Sequence, residues 1–379
     1  MIAGGVWHNG FDTGGEPFLC FEELIELINH AGAVGIKYIR TGTNAFQLWR
    51  ALGQRFEDEV ARIADRLAAT PLRNLWISLD SAIPDVHEEM RGFPGVVGAI
   101  ERALPIFHER GIYPSANLGI NRNVGGDDTR QIRLDKGERG CEEQASLFVA
   151  SYRAAFRRFY RQLLDLGFTT VNACYPMSME SLGATEEMSA VYAATSADSV
   201  VRYSPREKAL LYTALAEVIP EYRSRLRIFS PLCSLHALSR DYASSDSTSY
   251  PCRGGIDFFF VDSRDGNTYP CGYRGTENFG KFWEIDRVAV SRRNECRSCD
   301  WECFRDPSEL AGPLFQVVSD PVGLLARLRR DREFFRVWLE DWRYYRACDF
   351  FDGRRPPHEE RLSRFAPKPQ KVSAELIKV

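Results

Sequence analysis

No apolar run in this chain approaches the roughly 18 residues that a membrane-spanning helix needs, so no span is expected. An excess of one charge is missing as well. Its 49 Lys and Arg against 52 Asp and Glu leave a formal charge of -3, which supplies neither a basic footprint for nucleic acid nor a polybasic face for a membrane surface. Residues Met1 to Gly10 lack the basic start and apolar stretch of a signal peptide, which with the missing span points to the cytoplasm. His8, His30, His108, His236 and His358 show no spacing that marks a zinc site or a Ser-His-Asp triad. Internal repeats and low-complexity tracts are also absent, which excludes solenoids and disordered arrays.

What is present is a chain of 379 residues with 44% apolar content, enough for about two or three units of roughly 150 residues. Up to about residue 235, helical patterns alternate with short apolar runs, the signature of consecutive βα units and a parallel sheet. Strands are expected at Ile36 to Arg40, Leu75 to Leu79, Tyr113 to Ile120, Thr169 to Ala173 and Leu226 to Ser230. The stretch Asp241 to Tyr250 reads as a linker. Residues 251 to about 305 are dense in Cys, Gly and Arg with one strand-like run, Phe258 to Asp262, and a helical pattern returns through Leu324 to Arg346 before a polar tail. The expected division is therefore 1–235, 236–305 and 306–379.

Ten cysteines in a reducing compartment point to metal ligation rather than to disulfides. Cys20, Cys141, Cys174 and Cys233 are scattered, whereas Cys252, Cys271, Cys296, Cys299 and Cys303 fall within about fifty residues. The Cys-x2-Cys-x3-Cys run from Cys296 to Cys303 lets two thiolates converge, and a pair from a remote segment completes four sulfur ligands for an iron–sulfur cubane. A zinc ion held by four cysteines is the alternative. A second set of signals is polar. Gly14 and Gly15 let backbone approach a ligand, the Glu16 carboxylate accepts from an ammonium group, and Pro17 opens a helix. The strand ends Thr41-Gly42-Thr43-Asn44 and Ile77-Ser78-Leu79-Asp80-Ser81, with a polar loop Asp85 to Gly92, describe one rim of a pocket at the C-terminal ends of parallel strands.

These residues carry a resemblance. The Thr13-to-Pro17 turn looks like the Gly-Gly-Glu-Pro motif of radical S-adenosylmethionine (SAM) enzymes, where it binds the amino group of the methionine moiety. Thr41 to Asn44 resembles the family's Thr-Asn-Gly strand end, and Ser78, Leu79 and Asp80 with His87, Arg91 and Gly92 resemble its fourth-strand segment. Cys252, then Gly266-x4-Cys271, resembles the opening of the SPASM and twitch extensions. The resemblance implies an α/β fold, a partial (β/α)6 TIM-like barrel without its first βα unit, followed by a cysteine-rich twitch/SPASM-like extension.

The same resemblance implies a set of ligands. SAM would be held by Gly14, Gly15, Glu16, Asn44, Ser78 and Asp80. An auxiliary [4Fe–4S] cluster would be held by Cys252, Cys271, Cys296 and Cys299, with Cys303 able to replace one and Cys348 a distant candidate. The implied activity is that of an oxidoreductase or maturase acting on a peptide or a small molecule, served by a reductant such as flavodoxin or ferredoxin, with no nucleic acid or membrane partner. In that scheme a reduced cluster cleaves SAM to a 5′-deoxyadenosyl radical. One departure sets a rival beside it. The family's catalytic Cys-x3-Cys-x2-Cys loop does not occur upstream of Gly14, and Cys20 reads as a buried thiol of the first helix. A non-catalytic iron–sulfur protein acting in electron transfer or binding is the alternative.

Overall fold

Helix-forming and strand-forming stretches alternate along the chain because apolar residues switch between a period near 3.6 and a period of 2. The structure, a computed structural model, describes residues 16–134, 141–176, 199–243, 249–286 and 296–367. A 3-10 turn, Pro17–Cys20, leads into α1 (Phe21–Ala33) and β1 (Ile39–Thr43). There follow α2 (Phe46–Arg50), α3 (Phe56–Ala68), β2 (Leu72–Ser78), α4 (Pro84–Arg91), α5 (Val96–Glu109), β3 (Ser115–Gly119) and α6 (Asp127–Arg130). Then come α7 (Cys141–Leu166), β4 (Thr170–Cys174), α8 (Pro205–Tyr222), β5 (Arg227–Ile228) and α9 (Leu232–Ala243). A short hairpin, β6 (Phe260–Val261) and β7 (Thr268–Tyr269), precedes α10 (Glu302–Ser319), α11 (Pro321–Arg330), α12 (Arg332–Ala347) and α13 (Glu359–Ser363). Among the described residues no helix is long and apolar enough to cross a membrane.

Local chemistry explains individual elements. In α3, Phe56, Val60, Ile63, Ala64 and Leu67 recur on one face and are buried. Ser204 starts α8 with a capping box: its hydroxyl accepts from Glu207 N, and Glu207 accepts from Ser204 N at 2.8 Å. Strands β1 to β5 pair in chain order and all run parallel.

Register divides the sheet into two unlike faces. Ile39, Leu75, Ile77, Leu118, Val171 and Ile228 point to the hydrophobic core. The alternate residues, including Arg40, Asn74, Ser115, Thr170 and Arg227 in neighbouring strands, make the other face polar although they too are buried. Arg40 on β1 sets its guanidinium carbon 5.2 Å from the Trp76 ring and 5.1 Å from the ring of Phe229, one residue past β5. A flat sheet would hold β1 and β5 about 19 Å apart. The sheet therefore curls with its polar face inward. Gly42 permits this, since a Cβ there would run into the Trp76 indole.

The N-terminal ends of the strands are closed by the end of the chain. Gly353 accepts from Tyr113 N at 2.7 Å and donates to Arg73 O at 2.8 Å, and a Cβ on it would meet both carbonyls. Behind it, α12 is locked by the buried pair Arg223–Asp341 at 2.5 Å, while Asp341 also accepts from Cys233 N.

Three expectations change. Asp85 to Gly92 is not a loop but α4: Pro84 occupies its first turn and Gly92, at φ 71°, ends it in the left-handed region. The linker read from Asp241 is helical as far as Ala243, and residues 244–248 lie outside the described residues. A boundary after residue 305 falls inside α10, which begins at Glu302 and runs through Pro307 and Pro313. Tertiary contacts outweigh the proline cost. Arg305 donates to Tyr250 O, Glu309 accepts from Tyr250 N, and Ser308 accepts from Arg253 N, so this helix is the rack on which the Tyr250–Arg253 segment hangs.

Candidate functional site

Polar strand ends gather at the C-terminal edge of the sheet. The Glu16 carboxylate accepts from Phe18 N at 3.1 Å, from the Thr43 hydroxyl at 2.6 Å and from Asn44 N at 2.7 Å. Burial pushes its pKa up while those three donors pull it down. The turn is tight: Ala45, at φ 65°, sits in the left-handed region, and the Asn44 side chain accepts from Phe46 N. Asp80 accepts from Arg91 Nε at 2.6 Å, and its backbone N–H donates to His87 Nδ1 at 3.1 Å. His87 therefore carries its proton on Nε2, and burial lowers its pKa. Ser78 ends β2 on the polar face beside Asn117, which accepts from Asn172 at 2.9 Å and from the Cys174 thiol at 3.3 Å. Gly14 and Gly15 lie outside the described residues.

The second constellation is sulfur. The hairpin β6–β7 turns at Gly266, whose φ of 74° favours glycine, and delivers Cys271 two residues past β7. Cys252 N donates to Cys296 O at 2.8 Å, which brings the two remote segments together. Burial raises the pKa of Cys252, Cys271 and Cys299 first, and neighbouring thiols add to it: Cys271 is pushed up to about 12 with Cys252 and Cys296 contributing, and Cys299 feels Cys271, Cys252 and Cys296. Cys252, Cys271, Cys296 and Cys299 thus share one buried pocket with Tyr273, Trp301 and Phe304. Three of the sulfurs accept the amide N–H two residues ahead: Cys252 from Gly254 at 3.3 Å, Cys271 from Tyr273 and Cys299 from Trp301. Such amides favour thiolate over thiol once a cation is present. Among the described residues, no group of three or more Cys, His, Asp or Glu side chains, the four cysteines included, is placed so as to hold a metal ion.

Cys303 packs against the same cluster but its thiol faces away from the other four. Four residues beyond Cys299, it faces Glu302, Cys174 and Arg40, and it donates to Glu302 at 3.3 Å. Glu302 is buried, which raises its pKa, and it also takes Cys174 and the Tyr175 amide. Two thiols and a carboxylate, Cys174, Cys303 and Glu302, therefore gather at the end of β4. Cys348 is buried beside Arg227 and Tyr344 at the opposite end of the strands. Cys20 precedes α1 and is exposed rather than buried.

A buried ion pair ties the sulfur constellation to α8. Lys208 on α8 donates to Asp300 at 2.7 Å, Tyr212 donates to the same oxygen, and Asp300 stands between Cys299 and Trp301. Lys208, Asp300, Arg40, Glu302 and the Asn117–Asn172 pair were not singled out from sequence. A signal existed for the asparagines, since Asn is depleted in strands and two of them interrupt apolar runs. For Lys208 and Asp300, 92 residues apart, no local signal exists. No protein-family model matches the chain, and no curated protein matches it.

Proposed function

We propose that this chain is an iron–sulfur protein of the radical SAM type, an oxidoreductase or maturase of the cytoplasm that binds SAM and one auxiliary [4Fe–4S] cluster. The observation that carries the reading is the four-thiol pocket, in which three of the four sulfurs accept backbone amides. Cys252, Cys271, Cys296 and Cys299 are the residues that would hold the cluster, and when bound it supplies one-electron transfer. The consecutive parallel order of β1 to β5 and the inward curl of their polar face support a partial (β/α)6 barrel. Glu16 supports the SAM end, because a carboxylate has about four acceptor positions and the described residues fill three of them, and a further position suits an ammonium group. Asn44, Ser78 and Asp80 stand at the same edge, Asp80 oriented by Arg91. A peptide or protein substrate, a small molecule after it, and a flavodoxin- or ferredoxin-like reductant follow from the resemblance alone.

A second reading, an iron–sulfur protein that does not cleave SAM, is favoured by one fact: the 379 residues contain no Cys-x3-Cys-x2-Cys sequence. The test is iron and acid-labile sulfide content with a visible spectrum after anaerobic reconstitution. About four irons per chain are expected, lost in Cys271→Ala and kept in Cys348→Ala; an iron-free chain holding one zinc overturns both readings. Calorimetric SAM binding weakened at least about tenfold by Glu16→Gln supports the SAM site, and turnover of bound SAM by the reduced chain decides between the two readings.

A further inference from the structure

Helix α11 leaves most of its apolar side chains outside. None of its ten residues is fully buried, and it meets the rest of the chain through Leu324, packed against the core, and through the cation of Arg327. The Arg327 guanidinium lies 3.8 Å from the Tyr250 ring and 5.2 Å from the Phe334 ring. Val322, Leu325 and Leu328 recur every three residues on the opposite side, in solvent. With Leu314, Val317 and Val318 at the end of α10, they form an apolar surface whose members are 37% to 87% exposed. With three of its four large aliphatic side chains facing out, the helix departs from the pattern of a surface helix, and contiguous apolar surface marks an interface.

We infer that this face pairs with a second copy of the chain about a twofold axis near Leu325, the two α11 helices antiparallel. Charge decides the occupant. Helix α11 carries Arg329 and Arg330 at its C-terminal end, no acidic residue in its interior, and Asp320 at its N-terminal cap. An antiparallel pair sets the arginines of each copy beside Asp320 of the other and also opposes the helix dipoles favourably. Area agrees. The six apolar residues expose on the order of 600 Å² per copy, which with the flanking arginines approaches the roughly 800 Å² per partner of a standard interface.

Sedimentation velocity of the full chain tests this. At about 10 µM the chain is expected to be a dimer, and Leu325→Glu is expected to raise the dissociation constant by about 100-fold or more without changing the far-UV spectrum, since Leu325 is exposed and is not part of the core. Asp320→Arg alone should weaken the dimer and Asp320→Arg with Arg330→Asp should restore it. A chain that is monomeric at about 100 µM, or a dimer indifferent to Leu325→Glu, overturns the inference, as does a monomer that instead binds anionic vesicles or an acidic protein through this face.

Discussion

Replacing Lys208 by Met keeps the length of the side chain and removes its charge from a fully buried position. At 2.7 Å from the Asp300 carboxylate, the lost attraction is about 6 kcal/mol for an effective dielectric of about 20. Desolvation of two charges offsets most of that in the native protein, so the pair itself adds little. Removing one partner is different, because Asp300 stays buried with the neutral hydroxyls of Tyr212 and Tyr242 as donors and no cation, and such a loss costs about 3–5 kcal/mol. Urea unfolding followed by circular dichroism should show that loss. Replacing both residues, Lys208→Met with Asp300→Leu, should recover part of it, a coupling of about 2 kcal/mol or more. Because Asp300 is covalently next to Cys299, Lys208→Met should also reduce iron retention at urea concentrations below the unfolding transition. A loss under about 1 kcal/mol for Lys208→Met, or strict additivity in the double variant, refutes the claim that this pair ties the four-thiol pocket to α8.

Two further outcomes are expected. Gly254→Ala places a methyl group 2.8 Å from Pro270 O and 3.4 Å from the Cys252 sulfur, so it should cost about 1–3 kcal/mol and lower iron occupancy, and unchanged iron content argues against a ligand role for Cys252. Burial pushes the Glu309 carboxyl up to about 7 from its ordinary 4.5, against the pull of Arg305. Between those values the folded chain holds a proton that the unfolded chain has released, so stability should fall as pH rises from about 4.5 to about 7, by up to about 3 kcal/mol. Glu309→Gln should flatten that slope in urea midpoints measured at several pH values; an unchanged slope removes Glu309 as its source.

The βα alternation was legible because it is written in local periodicity: five strands and the helices between them lie within a few residues of the apolar runs that announce them. Strand ends drifted most at β1, by three residues at each end, and at β2, which starts three residues earlier than expected, because a polar inner face leaves only every second residue apolar. Spacing also brought out the cysteine-rich stretch, since Cys296, Cys299 and the remote Cys252 and Cys271 occupy one pocket. It did not reveal that Cys303 turns away. Three intervening residues suit a shared site equally well, and only the start of α10 at Glu302 sends Cys303 toward Cys174 and Arg40. Proline at 307 hid that start.

Composition and pattern by themselves determined an α/β chain with a parallel sheet, a sulfur-rich segment and no long apolar helix. The tertiary structure alone decided that the sheet's second face is polar and curled inward, that Lys208 meets Asp300, and that α11 presents Val322, Leu325 and Leu328 to solvent. The reason is the range of the forces: backbone propensity and hydrophobic periodicity act over a few neighbours, whereas strand register, buried ion pairs and the orientation of a helix are set by residues tens to hundreds of positions away.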